Sequence, residues 1–338
     1  MKYMIQVQQK IVPDLIDKMY RRYSILTTIQ QLQPVGRRTL SDVLKLTERV
    51  LRSETDLLKT QGLILVKSTG MTLTSEGIDI VHQLNEYFNQ YSDYHHLAQL
   101  IKHQYDIKEV YVVPGDSDID SNVKVEIGRV AGQSLEKRLH KHAIVSVTGG
   151  STMASVSESM SPLPYEVLFV PARGGLGENV VFQANTICSS MAKHTNGSYT
   201  TLYVPEQVSD KTYDNLLSEP SVVQTLNRIR ESQFIIHGIG DALKMAKRRQ
   251  SSKEVIDKIQ HHHATGEAFG YYFDQEGNIV HKVKTIGIQL EEVQSKPHIF
   301  AVAGGSSKGC AIKAYLQIAP KNTILITDEA AAKMITEK

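Results

Sequence analysis

The sequence predicts an α/β domain, Rossmann-like and doubly wound, behind a small helical head that closes with a β-wing. Three observations predict it. The texture of the chain changes near residue 90, from helical and glycine-poor to short apolar runs separated by glycine turns. Those runs are almost continuously apolar, as strands buried on both faces of a mainly parallel sheet must be. Most are followed by a turn bearing Gly, Ser or Asp and then a helical pattern, the repeat of a doubly wound fold. A chain of 338 residues is long enough for two domains, and we place them at 1–88 and 89–338.

The first helix is expected from Pro13, a residue suited to a first helical turn, to Leu32, with Leu15, Met19, Ile25, Leu26 and Ile29 as its apolar stripe. Pro34-Val35-Gly36 ends it. A second helix covers Leu40 to Leu46, and Thr47 is the N-cap of a third, Glu48 to about Gln61, closed by Gly62. Residues 63–66, 67–70 and 71–73 then read as strand, turn and strand. Helix, short helix, tight turn, helix and wing is the order of a winged helix-turn-helix, whose last helix enters the DNA major groove. Leu51, Thr55 and Leu58, spaced by four and three, should pack inward and turn Arg49, Arg52, Ser53 and Asp56 outward. Arg49 and Ser53 stand where base edges are read, because arginine can pair bidentately with guanine. Arg37, Arg38 and Lys67 suit phosphates, and Thr47 and Arg52 complete the candidate DNA-contacting set. Residues 1–88 hold 12 Lys and Arg against 9 Asp and Glu, and the remainder 26 against 27. That mild asymmetry permits a nucleic-acid-binding head without requiring one.

A polar-aromatic linker helix is expected over Leu84–Gln104. Strands follow at 143–147, 166–170, 201–204, 233–237, 298–303 and 323–327, and the segment 271–283 reads as a hairpin with Glu276-Gly277-Asn278 at its tip. Two segments share one design: VSVTGGSTMASV (145–156) and FAVAGGSSKGCAI (300–312) each run strand, Gly-Gly, hydroxyl residues, helix. Glycines allow close backbone approach, and N–H groups at a helix start attract an anion. Gly149, Gly150, Ser151 and Thr152 belong to the first loop, and Ser306, Ser307 and Lys308 to the second. Tight helix-on-sheet packing would explain one such loop, but two with hydroxyls and a lysine favour an anionic ligand. Neither has the GxxxxGK[ST] spacing of a P-loop. Arg173, the turn His237–Asp241 with Arg248 and Arg249 beyond it, and Glu267 between glycines also fall at strand C-termini, where open α/β sheets bind ligands. Together they suit a ligand with a phosphate at each end and hydroxyls between.

Other classes are disfavoured. Cys188 and Cys310 lie far apart without CxxC spacing, which speaks against a disulfide framework or a zinc finger. Adjacent His261, His262 and His263 point in different directions on a helix and lack partners with ligand spacing, so no metal is expected. No cofactor is expected either. A polar N-terminus and the lack of any apolar run near 20 residues point to a cytoplasmic protein without membrane attachment. An isomerase or deaminase acting on sugar phosphates would need a positioned acid/base. Glu267 and Asp241 are candidates, but no pair or triad has the spacing of a known site.

With the winged head, GGST, PARGGLGENV, GIGDAL, GEAFG and AGGSSKG in view, the sequence resembles the SorC/DeoR-type bacterial sugar-responsive regulators along essentially its whole length. The resemblance implies an effector domain similar in fold to glucosamine-6-phosphate deaminase and ribose-5-phosphate isomerase, and dimers or tetramers on operator DNA. It implies a transcriptional repressor of glycolytic genes whose operator binding is weakened by a phosphorylated sugar, with fructose-1,6-bisphosphate the expected effector. An activator of another carbohydrate operon is the alternative within the family. Carried over residue by residue, Gly149, Gly150, Ser151 and Thr152 would take one phosphate, and Arg173, Arg248, Glu267, Ser306 and Lys308 the rest of the ligand. Arg249, next to Arg248, is the competing choice at that position.

Overall fold

The computed structural model describes residues 13–44, 46–89, 93–175, 179–205 and 209–337. The chain packs as two units, Met1–Ser92 and Asp93–Lys338.

In the first unit α1 (Pro13–Leu32), α2 (Arg37–Leu44) and α3 (Glu48–Thr60) precede the hairpin of β1 (Ile64–Lys67) and β2 (Gly70–Leu73), and α4 (Ser75–Asn89) follows. Ile25, Leu26 and Ile29 of α1 meet Leu40, Leu51, Leu58, Met71 and Val81 in one core, and Met19 is half-buried. The Leu15 side chain lies outside the described residues. α2 begins three residues before the expected Leu40, because the Gly36 carbonyl already accepts from Leu40 N at 3.1 Å. The helix ends at Leu44, Lys45 lies outside the described residues, and Ser41 Oγ donates to the Leu46 carbonyl at 2.6 Å in the turn beyond. Thr47 caps α3, its hydroxyl accepting from Val50 N at 3.4 Å. The wing is antiparallel, with Lys67 opposite Gly70. This unit is a winged helix-turn-helix.

The second unit begins with α5 (Asp93–Tyr105). The linker helix expected over Leu84–Gln104 is thus described as the end of α4 and the start of α5, with residues 90–92 outside the described residues. There follow β3 (Glu109–Val113), α6 (Ser121–Glu136), β4 (Ile144–Val147), α7 (Ser151–Glu158), β5 (Leu168–Pro171), α8 (Ala184–Thr195), β6 (Ser198–Tyr199), α9 (Asp210–Ser218) and α10 (Pro220–Glu231). Next come β7 (Phe234–His237), β8 (Gly240–Asp241), α11 (Ala242–Arg248), α12 (Lys253–His261), β9 (Gly266–Ala268), β10 (Tyr271–Phe273) and β11 (Ile279–Lys282). The chain closes with α13 (Leu290–Val293), β12 (His298–Val302), α14 (Gly309–Ile318), β13 (Thr323–Asp328) and α15 (Glu329–Thr336).

Seven strands form a parallel sheet in the order β3-β13-β12-β7-β4-β5-β6. Its two faces bury separate cores, which accounts for the unbroken apolar runs. Phe234, Ile236, Phe300, Val302, Ile324 and Ile326 face one core, while Ile235, Ile299, Ala301 and Leu325, at the alternate positions, face the other. A second sheet, β11-β10-β9-β8, is antiparallel and contains the expected hairpin together with two further strands.

Two strand assignments are corrected. The segment 201–204 is not a strand, because the Asn185 side chain takes up the backbone of Leu202, accepting from its N–H at 2.9 Å and donating to its carbonyl at 3.2 Å. Pairing with β5 instead uses Ser198 and Tyr199. β3, absent from the expected set, is the outermost strand beside β13.

Candidate functional site

A cleft of about 290 Å³ opens at the C-terminal ends of β4, β5 and β7. It brings together Gly149, Gly150, Ser151 and Thr152 with Arg173, Arg248, Arg249, Glu267 and Lys308. Residues 176–178, within the PARGGLGENV segment, lie outside the described residues.

In the first loop a Cβ on Gly149 would stand 2.6 Å from the Phe182 carbonyl oxygen, so only glycine lets the loop pass there. Gly150 takes φ +126° and caps α7 without a side-chain bond. The first N–H groups of a helix have no intrahelical acceptor, and here the cap residue brings none. An uncapped helix start in a cleft is suited to an anion.

The second loop is different. Gly305 N donates to Asp328 Oδ2 at 2.6 Å, Ser306 N to Asp116 Oδ1 at 3.1 Å, and Ser307 N to Asp118 Oδ2 at 2.7 Å. Its amides are already satisfied by carboxylates of the chain itself. The expectation that both loops share one design is therefore corrected. Ser306 is not among the residues lining the cleft; its N–H and hydroxyl face Asp116 and Asp118 instead. Lys308 does line it. Burial, then Lys124, pulls the Lys308 ammonium below its ordinary range, with Asp118 opposing.

At the cleft wall two guanidiniums share one carboxylate. Glu267 Oε1 accepts from Arg249 Nη2 at 2.9 Å, Arg173 Nη1 at 3.4 Å and Gly270 N at 2.6 Å, and Arg249 Nη1 also donates to Tyr272 Oη at 2.8 Å. Burial opposes the charge on Glu267, but Arg249 and Arg173 outweigh it and hold the carboxyl below its usual range. Burial and the nearby Arg249 lower Arg173 to about 10, which leaves it cationic at neutral pH. Arg248 and Arg249 both reach the cleft, and it is Arg249 that is buried against Glu267. Sequence reasoning missed Lys244, Asn179 and Gln183, which also line the cleft.

His237 is fully buried at the end of β7. Its Nε2 lies 3.0 Å from Tyr315 Oη, and its Nδ1 lies 3.0 Å from the Gly238 carbonyl. Burial lowers its pKa from 6.5 to about 4. The folded value lies below the unfolded one, so the unfolded chain binds the extra proton between them. The contribution of His237 is complete above pH 6.5 and is lost as pH falls towards 4, by up to about 1.4 kcal/mol per pH unit. Urea titrations between pH 7 and pH 4.5 should show a shallower pH dependence for His237→Gln than for the wild type. Equal slopes would assign the acid sensitivity to other groups.

In the head Leu51, Thr55 and Leu58 are buried, and Arg49, Arg52 and Ser53 are exposed on the opposite face of α3. Arg37, Arg38 and Lys67 are exposed as well. Asp56 pairs with Arg37 at 3.3 Å and with Arg52 at 3.9 Å, whereas among the described residues Arg49 makes no ion pair. Thr47 spends its hydroxyl on the cap of α3. Among the described residues no cluster of His, Cys, Asp and Glu could hold a metal ion, and no helix is long and apolar enough to cross a membrane. His261, His262 and His263 sit exposed at the end of α12.

The family model of the sugar-binding domain (Sugar-bind) matches residues 89–337, and that of the CggR N-terminal DNA binding domain matches residues 18–88. The chain is 49% identical over 336 residues to the central glycolytic genes regulator of Priestia megaterium, spanning 98% of each chain. It is 46% identical over 337 residues to the protein of the same name from Bacillus subtilis, spanning 99% of each. Among solved structures, a SorC family transcriptional regulator from Enterococcus faecalis matches with a TM-score of 0.68 at 44% identity, over 72% of this chain and 100% of its own. The full-length sorbitol operon regulator SorC of Klebsiella pneumoniae matches with a TM-score of 0.69 over 92% of this chain and 98% of its own. At 16% identity it shares the fold alone.

Proposed function

From the premise that this chain belongs to the SorC family of sugar-binding transcriptional regulators, among the central glycolytic genes regulators, we propose that it represses a glycolytic operon and that fructose-1,6-bisphosphate, bound in the cleft, releases it. It is a regulator of glycolytic genes with a DNA-binding and a sugar-binding domain, not an enzyme.

One observation carries the choice of an anionic effector. Arg173 and Arg249 share the Glu267 carboxylate in the same cleft that holds a helix start without a side-chain cap, Arg248 and Lys308. Cations gathered beside a helix start attract a phosphorylated sugar more strongly than a neutral one. In this reading Gly149, Gly150, Ser151 and Thr152 hold one phosphate, and Arg173, Arg248, Glu267 and Lys308 contact the remainder. Ser306 is left out because its polar groups face Asp116 and Asp118. Arg37, Arg38, Thr47, Arg49, Arg52, Ser53 and Lys67 form the operator-contacting surface, and the two roles divide at residues 88 and 89. The mild charge of the head gives each copy modest DNA affinity, so a dimer or tetramer in the cytoplasm supplies avidity. Release requires only that the effector bind the DNA-incompetent arrangement more tightly, and about 1–3 kcal/mol of coupling is the usual range.

Lys308→Ala should weaken fructose-1,6-bisphosphate binding roughly tenfold, since a charge-assisted phosphate contact is lost. Isothermal titration of the two proteins measures it, and an identical isotherm would remove Lys308 from the pocket. The whole reading is tested by fluorescence anisotropy on operator duplex. Added bisphosphate should raise the Kd for DNA, and no change at a concentration that saturates the cleft would overturn it.

A further inference from the structure

The contrast between the two glycine loops has a consequence for how the cleft recognises the second end of its ligand. At the first loop the start of α7 is uncapped, so a phosphate there can be held by backbone N–H groups. At the second loop the amides of Gly305, Ser306 and Ser307 are taken by Asp328, Asp116 and Asp118. This carboxylate clamp is tied down further. Asp328 also accepts from Ser117 N at 2.9 Å and Ala331 N at 3.0 Å, and Glu329 accepts from Gly115 N at 3.1 Å. The backbone of the second loop is therefore closed to a ligand anion, and side chains must do the work.

Lys308, Arg248 and Lys244 all line the same cleft as the first loop. Lys244 lies in the first turn of α11, where Asp241 caps its N–H at 2.8 Å. Its exposed side chain reaches across to the second loop, with Nζ 3.3 Å from Ser307 Oγ. Lys124 is a further charge on Lys308, and Asp118 and Asp328 oppose it. Among the described residues Lys244 makes no ion pair, and its side chain bonds to a neutral hydroxyl, which a ligand oxygen can replace at little cost.

We propose that Lys244 is a specificity-determining residue of the effector cleft: with Lys308 and Arg248 it forms a side-chain subsite for the second anionic group of a doubly charged sugar ligand. The first anion is held by fixed amides and the second by movable point charges. The preference for two anionic groups over one then depends on Lys244 more than the anchoring of the first group does. This inference rests on the reading of the cleft as a sugar-phosphate site.

The test is titration calorimetry of the full chain with fructose-1,6-bisphosphate and with fructose-6-phosphate, comparing wild type, Lys244→Met and Lys244→Arg. The quantity read is the ratio of the two affinities. Lys244→Met should lower the bisphosphate preference roughly three- to tenfold, the range for losing one partly exposed charge on a phosphate. Lys244→Arg should keep it within about twofold, because charge and reach are retained. An unchanged ratio in Lys244→Met, or an equal loss for both sugars, overturns the proposal while leaving the cleft a sugar-phosphate site. If the wild type binds neither sugar, the reading of the cleft itself fails, and the subsite fails with it.

Discussion

Glu267→Ala is expected to destabilise the sugar-binding unit by about 3–5 kcal/mol, the usual effect of removing one partner from a buried ion network. Glu267 is 4% exposed, and both Arg173 and Arg249 pair with its carboxylate. Without it two buried guanidiniums repel each other, and Gly270 N loses its acceptor at 2.6 Å. Glu267→Gln should lie between the alanine variant and the wild type, since an amide oxygen can still accept from Gly270 N but cannot neutralise the arginines. Urea denaturation followed by far-ultraviolet circular dichroism reads the difference. A shift worth less than about 1 kcal/mol in the alanine variant would mean that the network is not held by charge compensation. High concentrations of an anionic effector should restore part of the lost stability, because the ligand then supplies the missing charge.

Arg49→Ala should reduce the preference for operator over unrelated duplex by about 1–3 kcal/mol, roughly five- to 150-fold, if Arg49 pairs bidentately with a base. Asp56 engages Arg37 and Arg52 on the same surface, and the exposed Arg49 is left for such a contact. Lys67→Ala supplies the contrast. A wing lysine on a phosphate adds affinity without reading sequence, so its loss should weaken operator and unrelated duplex alike and flatten the salt dependence. Competition anisotropy with both duplexes at two salt concentrations separates the cases. Should Arg49→Ala discriminate as well as wild type, the base-reading residue lies elsewhere on α3.

The head was legible because its signals are local. Pro13, Thr47 and Gly62 mark boundaries through their own local chemistry, and the spacing of Leu51, Thr55 and Leu58 turns one face of α3 inward. The central strands were equally legible, since burial on both faces leaves no polar alternation. β3 escaped notice because four of its five residues are only half-buried and it begins at the charged Glu109. The segment 201–204 misled for the opposite reason: it has a strand's composition, but the side chain of Asn185, 17 residues before Leu202, takes the backbone bonds that a strand would need. The cleft was legible as a set of loops at strand ends. The true character of the second glycine loop was not, because Asp116 and Asp118 reach it from about 190 residues away. Spacing within one loop carries no record of such a partner.

The order of strands in the main sheet also bears on how copies of this chain can join. A parallel sheet that ends in open strands invites another chain to add on by backbone pairing, the route to runaway association. Here one end is β6, only two residues long. The other is β3, where Glu109 is held by Arg138 and Tyr111, placing fixed charge at the margin. Neither end gives a neighbour much to zip onto. Copies of this chain that meet should therefore do so through side-chain surfaces, with each sheet ending inside its own chain, and crowding on DNA should not draw them into continuous ribbons.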